Sequence, residues 1–293
     1  MKTVGFVGVG IMGKSMVRNL MKAGFTVQIY SRTKAKVEDV IGEGAVWCDS
    51  PAACVTGAEA VFSIVGYPKD VEEVYFGENG IIAAAAPGSC IVDMTTSSPA
   101  LARRIYDAAK EKGVFALDAP VTGGDTGARN GTLAILVGGD KEAFEMCLPA
   151  FEAMGKDISH MGGPGMGQHT KMANQIVIAG SIAGCVEAMA YSKQVGLDPI
   201  AMHRAIGGGA AGGFQLNNVA ARILKNDLDP GFFIKHFVKD MNIAVEEAEQ
   251  AETDLPVLKL VLGMYKELMA EGYSELGTQG LVKHYDKDDK FIG

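Results

Sequence analysis

A lysine and two neighbouring carboxamides stand at the head of a long apolar run in GPGMGQHTKMANQIV, residues 163–177. Asn174 and Gln175 follow Lys171 by three and four residues, so a helix would place them on the face of the lysine. A helix amino terminus disfavours a cation, which suggests that this lysine has a function. In a partly desolvated site, Lys171 could exchange a proton near neutral pH. The alternative is an ordinary lysine whose stem packs along the helix.

A glycine motif near the amino terminus predicts a second site. The motif GVGIMG, residues 8–13, follows an apolar strand pattern and opens a helical one. This is the arrangement of a dinucleotide-binding turn, in which glycines allow a tight turn, the approach of a pyrophosphate and close packing of helix on strand. A glycine-rich turn without a ligand is the alternative. The cofactor-binding residues predicted here are Gly8, Gly10, Ile11, Met12 and Gly13.

The end of the second predicted strand indicates which dinucleotide is bound. A fold that binds NAD normally places an Asp or Glu there to bind the ribose hydroxyls. This chain instead has Ser31, Arg32 and Thr33, and no acid. An arginine with flanking hydroxyls could hold a 2′-phosphate through charge-assisted hydrogen bonds. The sequence therefore predicts NADP, with NADPH preferred over NADH; the alternative is a solvated loop arginine.

The segment DAPVTGG, residues 118–124, is the candidate site for a substrate carboxylate. It follows a predicted strand, and ligands of open α/β folds bind at the carboxyl ends of strands. Successive backbone amides at Thr122, Gly123 and Gly124 could form an anion-binding nest. A purely structural turn is the alternative. The expected ligand is a small molecule that carries a carboxylate.

These residues must be positioned by elements of two kinds. The first half alternates short β-branched runs with helical stretches, which predicts a parallel sheet covered by helices on both faces. The predicted strands are Thr3–Val7, Thr26–Tyr30, Ala60–Ile64, Cys90–Asp93, Val114–Asp118 and Ala134–Gly138. The predicted helices between them are Met12–Ala23, Lys34–Glu43, Lys69–Phe76, Ala100–Lys112 and Lys141–Ala153.

After Gly167 the pattern is helical throughout. The predicted helices are Thr170–Val195, Pro199–Ile206, Asn217–Asn226, Val238–Ala251 and Leu255–Glu271. The fold class is thus α/β, with an N-terminal Rossmann-type doubly wound sheet and a C-terminal all-α domain joined by a long interdomain helix. We predict an NADP-binding domain at 1–163 and a helical substrate and oligomerisation domain at 164–293, with Gly162–Gly167 as the hinge. Lys171 would lie at this junction, where ligand clefts preferentially form.

Composition narrows the classes of partner. The 293 residues carry a net charge of −8, which argues against nucleic acid and anionic membranes as partners. The apolar run Ile176–Val186 is too short to cross a bilayer. Five widely spaced cysteines and scattered histidines suggest neither a disulfide framework nor a metal site. We expect a cytoplasmic protein without a metal, and its long apolar helix predicts a homodimer or homotetramer.

Five motifs, in order along essentially the whole chain, resemble the signatures of the β-hydroxyacid dehydrogenase family. The group concerned contains 3-hydroxyisobutyrate dehydrogenase, tartronate semialdehyde reductase and plant-type glyoxylate/succinic semialdehyde reductase. The motifs are GFVGVGIMGKSM, DMTTSSP (Asp93–Pro99), DAPVTGG, GxGxxxKxxNQ (Gly165–Gln175) and FFIKHFVKD (Phe232–Asp240). The resemblance implies an NAD(P)-dependent enzyme that interconverts a short β-hydroxyacid and its semialdehyde or 2-oxo acid by hydride transfer.

The resemblance also implies roles for individual residues. Lys171 matches the general acid/base, and the loop at residues 122–124 matches the one that holds the substrate carboxylate. The carboxamides after the lysine match a substrate-orienting amide. Further substrate and cofactor contacts are implied for a C-terminal segment, for a residue beside the nicotinamide ribose and for a loop after the strand Ala60–Ile64. The matching residues are Asn174, Gln175 and Asp240 for the substrate, and Phe232, Lys239, Thr96, Val65, Gly66 and Tyr67 for the cofactor.

Departures from the family pattern and rival interpretations bear on the substrate. The loop more often reads Ser-Gly-Gly, and the methyl group of Thr122 could crowd larger substrates. The pair Asn174 and Gln175 is more like the tartronate semialdehyde reductase branch. An imine reductase commonly replaces the catalytic lysine, and decarboxylating 6-phosphogluconate dehydrogenases are usually longer. A non-catalytic NADP-binding module is the remaining alternative, against which the retained Lys171 and Thr122 argue.

Overall fold

The chain forms two compact units, Met1–Lys171 and Met172–Gly293, in a computed structural model that describes residues 1–285. The division falls inside one long helix, whereas the predicted boundary at 163/164 precedes that helix. Each unit has its own hydrophobic core.

A largely parallel sheet forms the centre of the first unit. Its order is β3-β2-β1-β4-β5-β6-β8-β7, and β9 pairs with β8. The strands are β1 (Thr3–Val7), β2 (Thr26–Tyr30), β3 (Val46–Trp47), β4 (Ala60–Ser63), β5 (Cys90–Asp93), β6 (Phe115–Asp118), β7 (Val121–Thr122), β8 (Leu133–Gly139) and β9 (Gly155–Gly162). Strands β1 to β6 are parallel, and the order reverses between β1 and β4. Ligands of doubly wound sheets bind at such a switch point.

Helices cover both faces of this sheet, as the alternating pattern predicts. Helix and strand residues pack together in two separate clusters, one containing Phe6 of β1 with Leu20, and the other Ile91 of β5 with Ile105. These helices are α1 (Ile11–Lys22), α2 (Glu38–Gly42), α3 (Pro51–Val55), α4 (Pro68–Phe76), α5 (Ile81–Ala84), α6 (Pro99–Lys110), α7 (Gly124–Asn130) and α8 (Lys141–Met154). The long helix α9 (Met166–Gln194) begins in this unit and continues into the second. The predicted Rossmann-type fold class is confirmed.

The structure differs from the predicted elements where the sequence is polar or short. The segment Lys34–Glu43 is a 3-10 turn, Lys34–Lys36, followed by the brief α2 rather than one helix. Strand β9 reads GKDISHMG and was not predicted, because it is an edge strand with many exposed residues that is held by backbone pairing to β8. Helix α7 begins among the glycines that predicted only a turn.

The second unit is helical. After α9 come α10 (Pro199–Ile206), α11 (Ile234–Gln250), α12 (Pro256–Ala270) and α13 (Val282–Tyr285). The predicted helix Asn217–Asn226 is instead a π-helical turn, Gln215–Val219, continued by the 3-10 turn Ala220–Lys225. The core of the second unit contains Phe237 and Tyr265, whose rings pack edge to face with centroids 5.2 Å apart.

Helix α9 extends over 29 residues, from four residues before the predicted start. It is long and apolar enough to cross a membrane by length and composition, and the core helix of a soluble protein satisfies the same criteria. Its buried side chains, among them Ile182, Val186 and Met189, pack into the core of the second unit. Burial in that core thus accounts for part of its apolar character.

Candidate functional site

The glycine turn after β1 leaves the start of α1 open to a ligand. Gly10 caps this helix without any side-chain hydrogen bond, so its first amides are available to an anion. Gly8 has φ +97°, and a Cβ there would collide with the carbonyl oxygen of Ile64. A Cβ at Gly10 would meet no atom within 4 Å. The turn therefore provides the open cradle that a dinucleotide pyrophosphate requires.

Arg32 lies just beyond β2, as predicted, and is paired with a residue that the sequence did not indicate. Its Nη1 is 3.2 Å from Oδ1 of Asp70, and its side chain is 77% exposed. The other oxygen of Asp70 accepts a hydrogen bond of 3.0 Å from the backbone amide of Tyr67. Asp70 thus joins Arg32 to the candidate cofactor loop Val65–Tyr67. Ser31 and Thr33 flank the guanidinium in sequence and are at least partly exposed.

A buried carboxylate at the end of β5 organises the same edge. Oδ1 of Asp93 accepts hydrogen bonds of 3.1 Å from the Ser63 hydroxyl and from the Thr95 amide. The Thr95 hydroxyl in turn accepts one of 2.9 Å from the amide of Val65. Burial raises the pKa of Asp93 to about 6 despite these hydrogen bonds. Thr96 is the next residue, so the network fixes two segments predicted to bind the cofactor.

The amino terminus of α9 is held by a second buried carboxylate. Asp118, at the end of β6, accepts hydrogen bonds from the amides of Gly165 at 2.7 Å and Gln168 at 2.8 Å. Burial raises its pKa to about 6, although these amides favour the charged form. The space around it is tight, because a Cβ at Gly138 would lie 2.5 Å from its Oδ1.

Gln168 attaches the same helix to the loop after β5. Its side-chain amide donates a hydrogen bond of 2.7 Å to the carbonyl oxygen of Thr95, and its Oε1 accepts one of 2.9 Å from the amide of Ser97. Gln168 is fully buried. One residue thus links the start of α9 to the segment that contains Thr96.

Lys171 meets the predicted carboxylate loop. Its Nζ donates a hydrogen bond of 2.9 Å to the carbonyl oxygen of Val121, and the residue is only 6% exposed. Thr122 follows directly, and Gly123 and Gly124 both have positive φ, +124° and +62°. The structure therefore brings the lysine together with the loop that the sequence selected separately. A buried ammonium beside exposed loop amides can stabilise oxygen anions.

In the second unit, Gln175 and Asp240 form a buried pair. Nε2 of Gln175 donates to Oδ2 of Asp240 at 2.7 Å, and its Oε1 accepts from Nδ2 of Asn174 at 2.7 Å. Asp240 also forms an ion pair with Lys239, 2.9 Å from Nζ to Oδ1. Phe232 packs edge to face on Phe237 at 5.9 Å. Asp240 is 1% exposed and lies behind Gln175, which separates it from the half-buried Asn174.

Sequence reasoning gave no role to the side chains of Asp70, Asp93, Asp118 and Gln168, although Asp93, Asp118 and Gln168 lie inside the motifs it selected. Two of these acids are the last residues of β5 and β6, where parallel strands bring side chains to one sheet edge, and that position was a usable signal. Gln168 had no such signal, because its partners are backbone groups of a loop about 70 residues away.

Two family models cover the chain. Residues 3–163 match the NAD-binding domain of 6-phosphogluconate dehydrogenase. Residues 165–285 match the NAD-binding model of NADP-dependent 3-hydroxyisobutyrate dehydrogenase. The chain belongs to the β-hydroxyacid dehydrogenase family. It is therefore an oxidoreductase that binds NAD(P).

Members of this family align along almost the full chain. An uncharacterised oxidoreductase of Bacillus subtilis is 51% identical over 286 residues, which cover 98% of this chain and 99% of that one. The 2-hydroxy-3-oxopropionate reductase of Escherichia coli is 38% identical over 281 residues, 96% of each chain. The structure of Mycobacterium tuberculosis 3-hydroxyisobutyrate dehydrogenase with L-serine is 27% identical, with a TM-score of 0.88 over 96% of this chain and 98% of that one.

We predict that Asp93 makes stability depend on pH in an unusual direction. Its pKa is about 6 in the folded protein against an ordinary 3.8, so the folded state binds more protons between those values. The free energy of unfolding should therefore fall as pH rises from about 4 to about 6, by at most about 3 kcal/mol from this group. Asp93→Asn should remove that part of the slope in urea unfolding measured from pH 4 to pH 7.

The exposed Asp107 provides the control for this measurement. Asp107→Asn should leave the pH dependence of unfolding as in the wild type. A slope unchanged by Asp93→Asn would show that burial does not favour the protonated form of Asp93.

The open space at Gly10 predicts a separation of folding from cofactor binding. Gly10→Ala should fold with nearly wild-type stability, because the added Cβ meets nothing in the chain. It should raise the Kd for NADPH at least about tenfold, because the pyrophosphate must approach the backbone there. Gly42→Ala, also without Cβ contacts, is the matched control and should change neither. Tight NADPH binding by Gly10→Ala would place the pyrophosphate elsewhere.

Proposed function

We propose that this chain is an NADPH-preferring reductase of short semialdehyde or 2-oxo acids, which also works in reverse as a β-hydroxyacid dehydrogenase. Lys171 is the proposed general acid/base. The proposal depends chiefly on the buried hydrogen bond between Nζ of Lys171 and the carbonyl oxygen of Val121. That bond holds the ammonium beside the loop proposed to bind the substrate carboxylate.

The proposed cofactor residues lie along one edge of the sheet. The glycine turn at 8–13 would hold the pyrophosphate, and Arg32 with Ser31 and Thr33 would hold the 2′-phosphate. The segment Val65–Tyr67 would line the cofactor, and Thr96 would lie beside the nicotinamide ribose. The C-terminal residues Phe232 and Lys239 are proposed to contact the cofactor as well. When bound, NADPH supplies the hydride of the reaction.

Lys171 provides the proton in this proposal. Its buried ammonium would donate a proton to the carbonyl oxygen as negative charge develops there, and it would accept the proton back in the alcohol direction. The carbonyl oxygen of Val121 takes one N–H and so fixes the direction of the side chain. Asp118 and Gln168 fix the helix that bears the lysine, so the ammonium needs little reorganisation when substrate binds.

The substrate carboxylate is assigned to the turn at Thr122, Gly123 and Gly124. Gly123 and Gly124 both have positive φ, which glycine adopts readily, and the amides of this turn are proposed to bind the carboxylate. The related proteins support a short acid: one is named for 2-hydroxy-3-oxopropionate, and the mycobacterial structure contains L-serine. Retention of the lysine disfavours an imine reductase, and the same lysine disfavours a non-catalytic module.

We further propose that the protein acts in the cytoplasm as a homodimer or homotetramer. Val177 on α9 and Leu260 on α12 are 67% and 62% exposed, and Val257 is 61% exposed. Exposed apolar side chains on neighbouring helices are typical of subunit contacts. Neither nucleic acid nor membrane is proposed as a partner.

Replacing Lys171 should slow catalysis strongly and leave cofactor binding intact. Lys171→Met keeps the length and packing of the side chain without the proton. We expect kcat with tartronate semialdehyde or glyoxylate to fall by about 10²- to 10⁴-fold, the usual contribution of a positioned acid/base. NADPH binding, measured by fluorescence, should persist. Lys193→Met in the last turn of α9 is the control, and retained turnover in Lys171→Met would refute the role.

Arg32→Met tests the preference for NADPH. Loss of a charge-assisted contact to the 2′-phosphate should raise the Kd for NADPH by about 10- to 100-fold and leave that for NADH nearly unchanged. Arg104→Met is a matched control, because Arg104 is also exposed and paired with a carboxylate, Glu72 at 3.0 Å. Equal weakening of NADPH and NADH by Arg32→Met would contradict the assignment.

A further inference from the structure

Three buried or half-buried groups of the second unit form a hydrogen-bond relay with a fixed direction. Oδ2 of Asp240 accepts from Nε2 of Gln175, and Oε1 of Gln175 accepts from Nδ2 of Asn174. Both distances are 2.7 Å. The relay starts at a carboxylate that is 1% exposed and ends at a carboxamide that is partly exposed.

The carboxylate sets this direction. Asp240 is the ion-pair partner of Lys239 and can only accept hydrogen bonds. Gln175 must therefore turn its NH₂ toward Asp240 and its oxygen toward Asn174. Asn174 must in turn donate an N–H to Gln175. Its NH₂ group therefore points toward Gln175, and its Oδ1 is the acceptor at the other end of the relay. A carboxamide without such a neighbour could present either end, because its two orientations have nearly the same shape.

We infer that Asp240 is a positioning residue that acts through Gln175 to make Asn174 present a hydrogen-bond acceptor to the substrate. The inference depends on the proposed function, since it concerns the substrate of that reaction. Asn174 is three residues beyond Lys171 on α9 and thus shares its helical face. An acceptor there favours acids with a hydroxyl or ammonium donor next to the reacting carbon over acids with a methyl group at that position.

Asp240 does not itself contact the substrate. Its Oδ2 accepts the hydrogen bond from Gln175, its Oδ1 lies in the ion pair with Lys239, and its side chain is buried. A substrate would meet Asn174 first. Asp240 would then affect which substrate is preferred and leave the proton transfer to Lys171.

Asp240→Asn should reverse the relay. The Lys239 ammonium would retain the oxygen of the new carboxamide, so the NH₂ group would take the place of Oδ2 and face Gln175. Gln175 would then rotate to accept, Asn174 would rotate as well, and its NH₂ would become the outward group. Every hydrogen bond of the relay is kept in this variant, so folding should be little affected.

The test compares two substrates of nearly equal shape, tartronate semialdehyde and methylmalonate semialdehyde, which carry a hydroxyl and a methyl group at the same carbon. In the wild type, kcat/KM should favour the hydroxyl substrate. Asp240→Asn should lower that ratio by about tenfold, the usual weight of one hydrogen bond, mainly through KM. Asn174→Ala should lower it similarly, and the double variant should show no further loss.

Asn242→Ala is the matched control. Asn242 is a partly buried carboxamide two residues after Asp240 on α11. Its side chain donates a hydrogen bond to the carbonyl oxygen of Val238 and is not part of the relay. Its replacement should leave the substrate ratio unchanged. Gln175→Met, which cuts the relay but keeps Asp240 and Lys239 paired, should also lower the ratio.

The outcomes separate the inference from the proposed function. If the wild type reduces neither of these substrates nor glyoxylate or succinic semialdehyde, the proposed function fails and the inference with it. If it reduces one of the latter two but neither of the substrates compared here, only the inference is overturned. If the wild type is active and Asp240→Asn leaves the ratio unchanged, or lowers it independently of Asn174, only the inference is overturned. A ratio lowered in both single variants without further loss in the double variant establishes the relay.

Discussion

The capping of α9 by Asp118 is the interaction on which the proposed active site depends. A carboxylate buried against the first amides of a helix fixes both where the helix starts and how it is rotated. Lys171 lies less than one turn beyond Gln168, so its position follows from this attachment. The segment that begins with Asp118 also contains Val121, whose carbonyl oxygen receives the ammonium. A few residues therefore hold both ends of the lysine in place.

The two carboxylates at the sheet edge are buried, and burial removes the water that would stabilise their charged forms. Asp93 and Asp118 end adjacent strands and lie opposite each other in the register, and burial raises the pKa of each to about 6. Each compensates by accepting a hydrogen bond from a backbone amide, Thr95 for Asp93 and Gly165 for Asp118. Burial of these carboxylates costs some stability at the edge where the cofactor is proposed to bind, and such a cost is common at functional sites.

The parts of the fold predicted well from the sequence are those with strong local signals. The core strands fall within one residue of their predicted ends, because β-branched runs bounded by turns have few alternatives. The glycine turn and Lys171 could be selected as site candidates because their chemistry is visible in residue type and spacing, and their roles stay predictions. Strand β9 and the linkages of Asp70 and Gln168 were not predicted, since they arise from backbone pairing and contacts between distant segments. Periodicity carries no information on such contacts.

Helix α9 is continuous through Lys171 and Asn174, and this restricts which mutations the segment can accept during evolution. Each residue of an α-helix turns the next by about 100°, so the angle between these two side chains depends only on the number of residues between them. Substitutions at the intervening positions leave that angle intact, whereas a single insertion or deletion would rotate the amide away from the lysine. The segment between Lys171 and Asn174 can therefore accept substitutions but not a change in length. Substitutions there alter the surface of the helix and keep the angle between the two side chains.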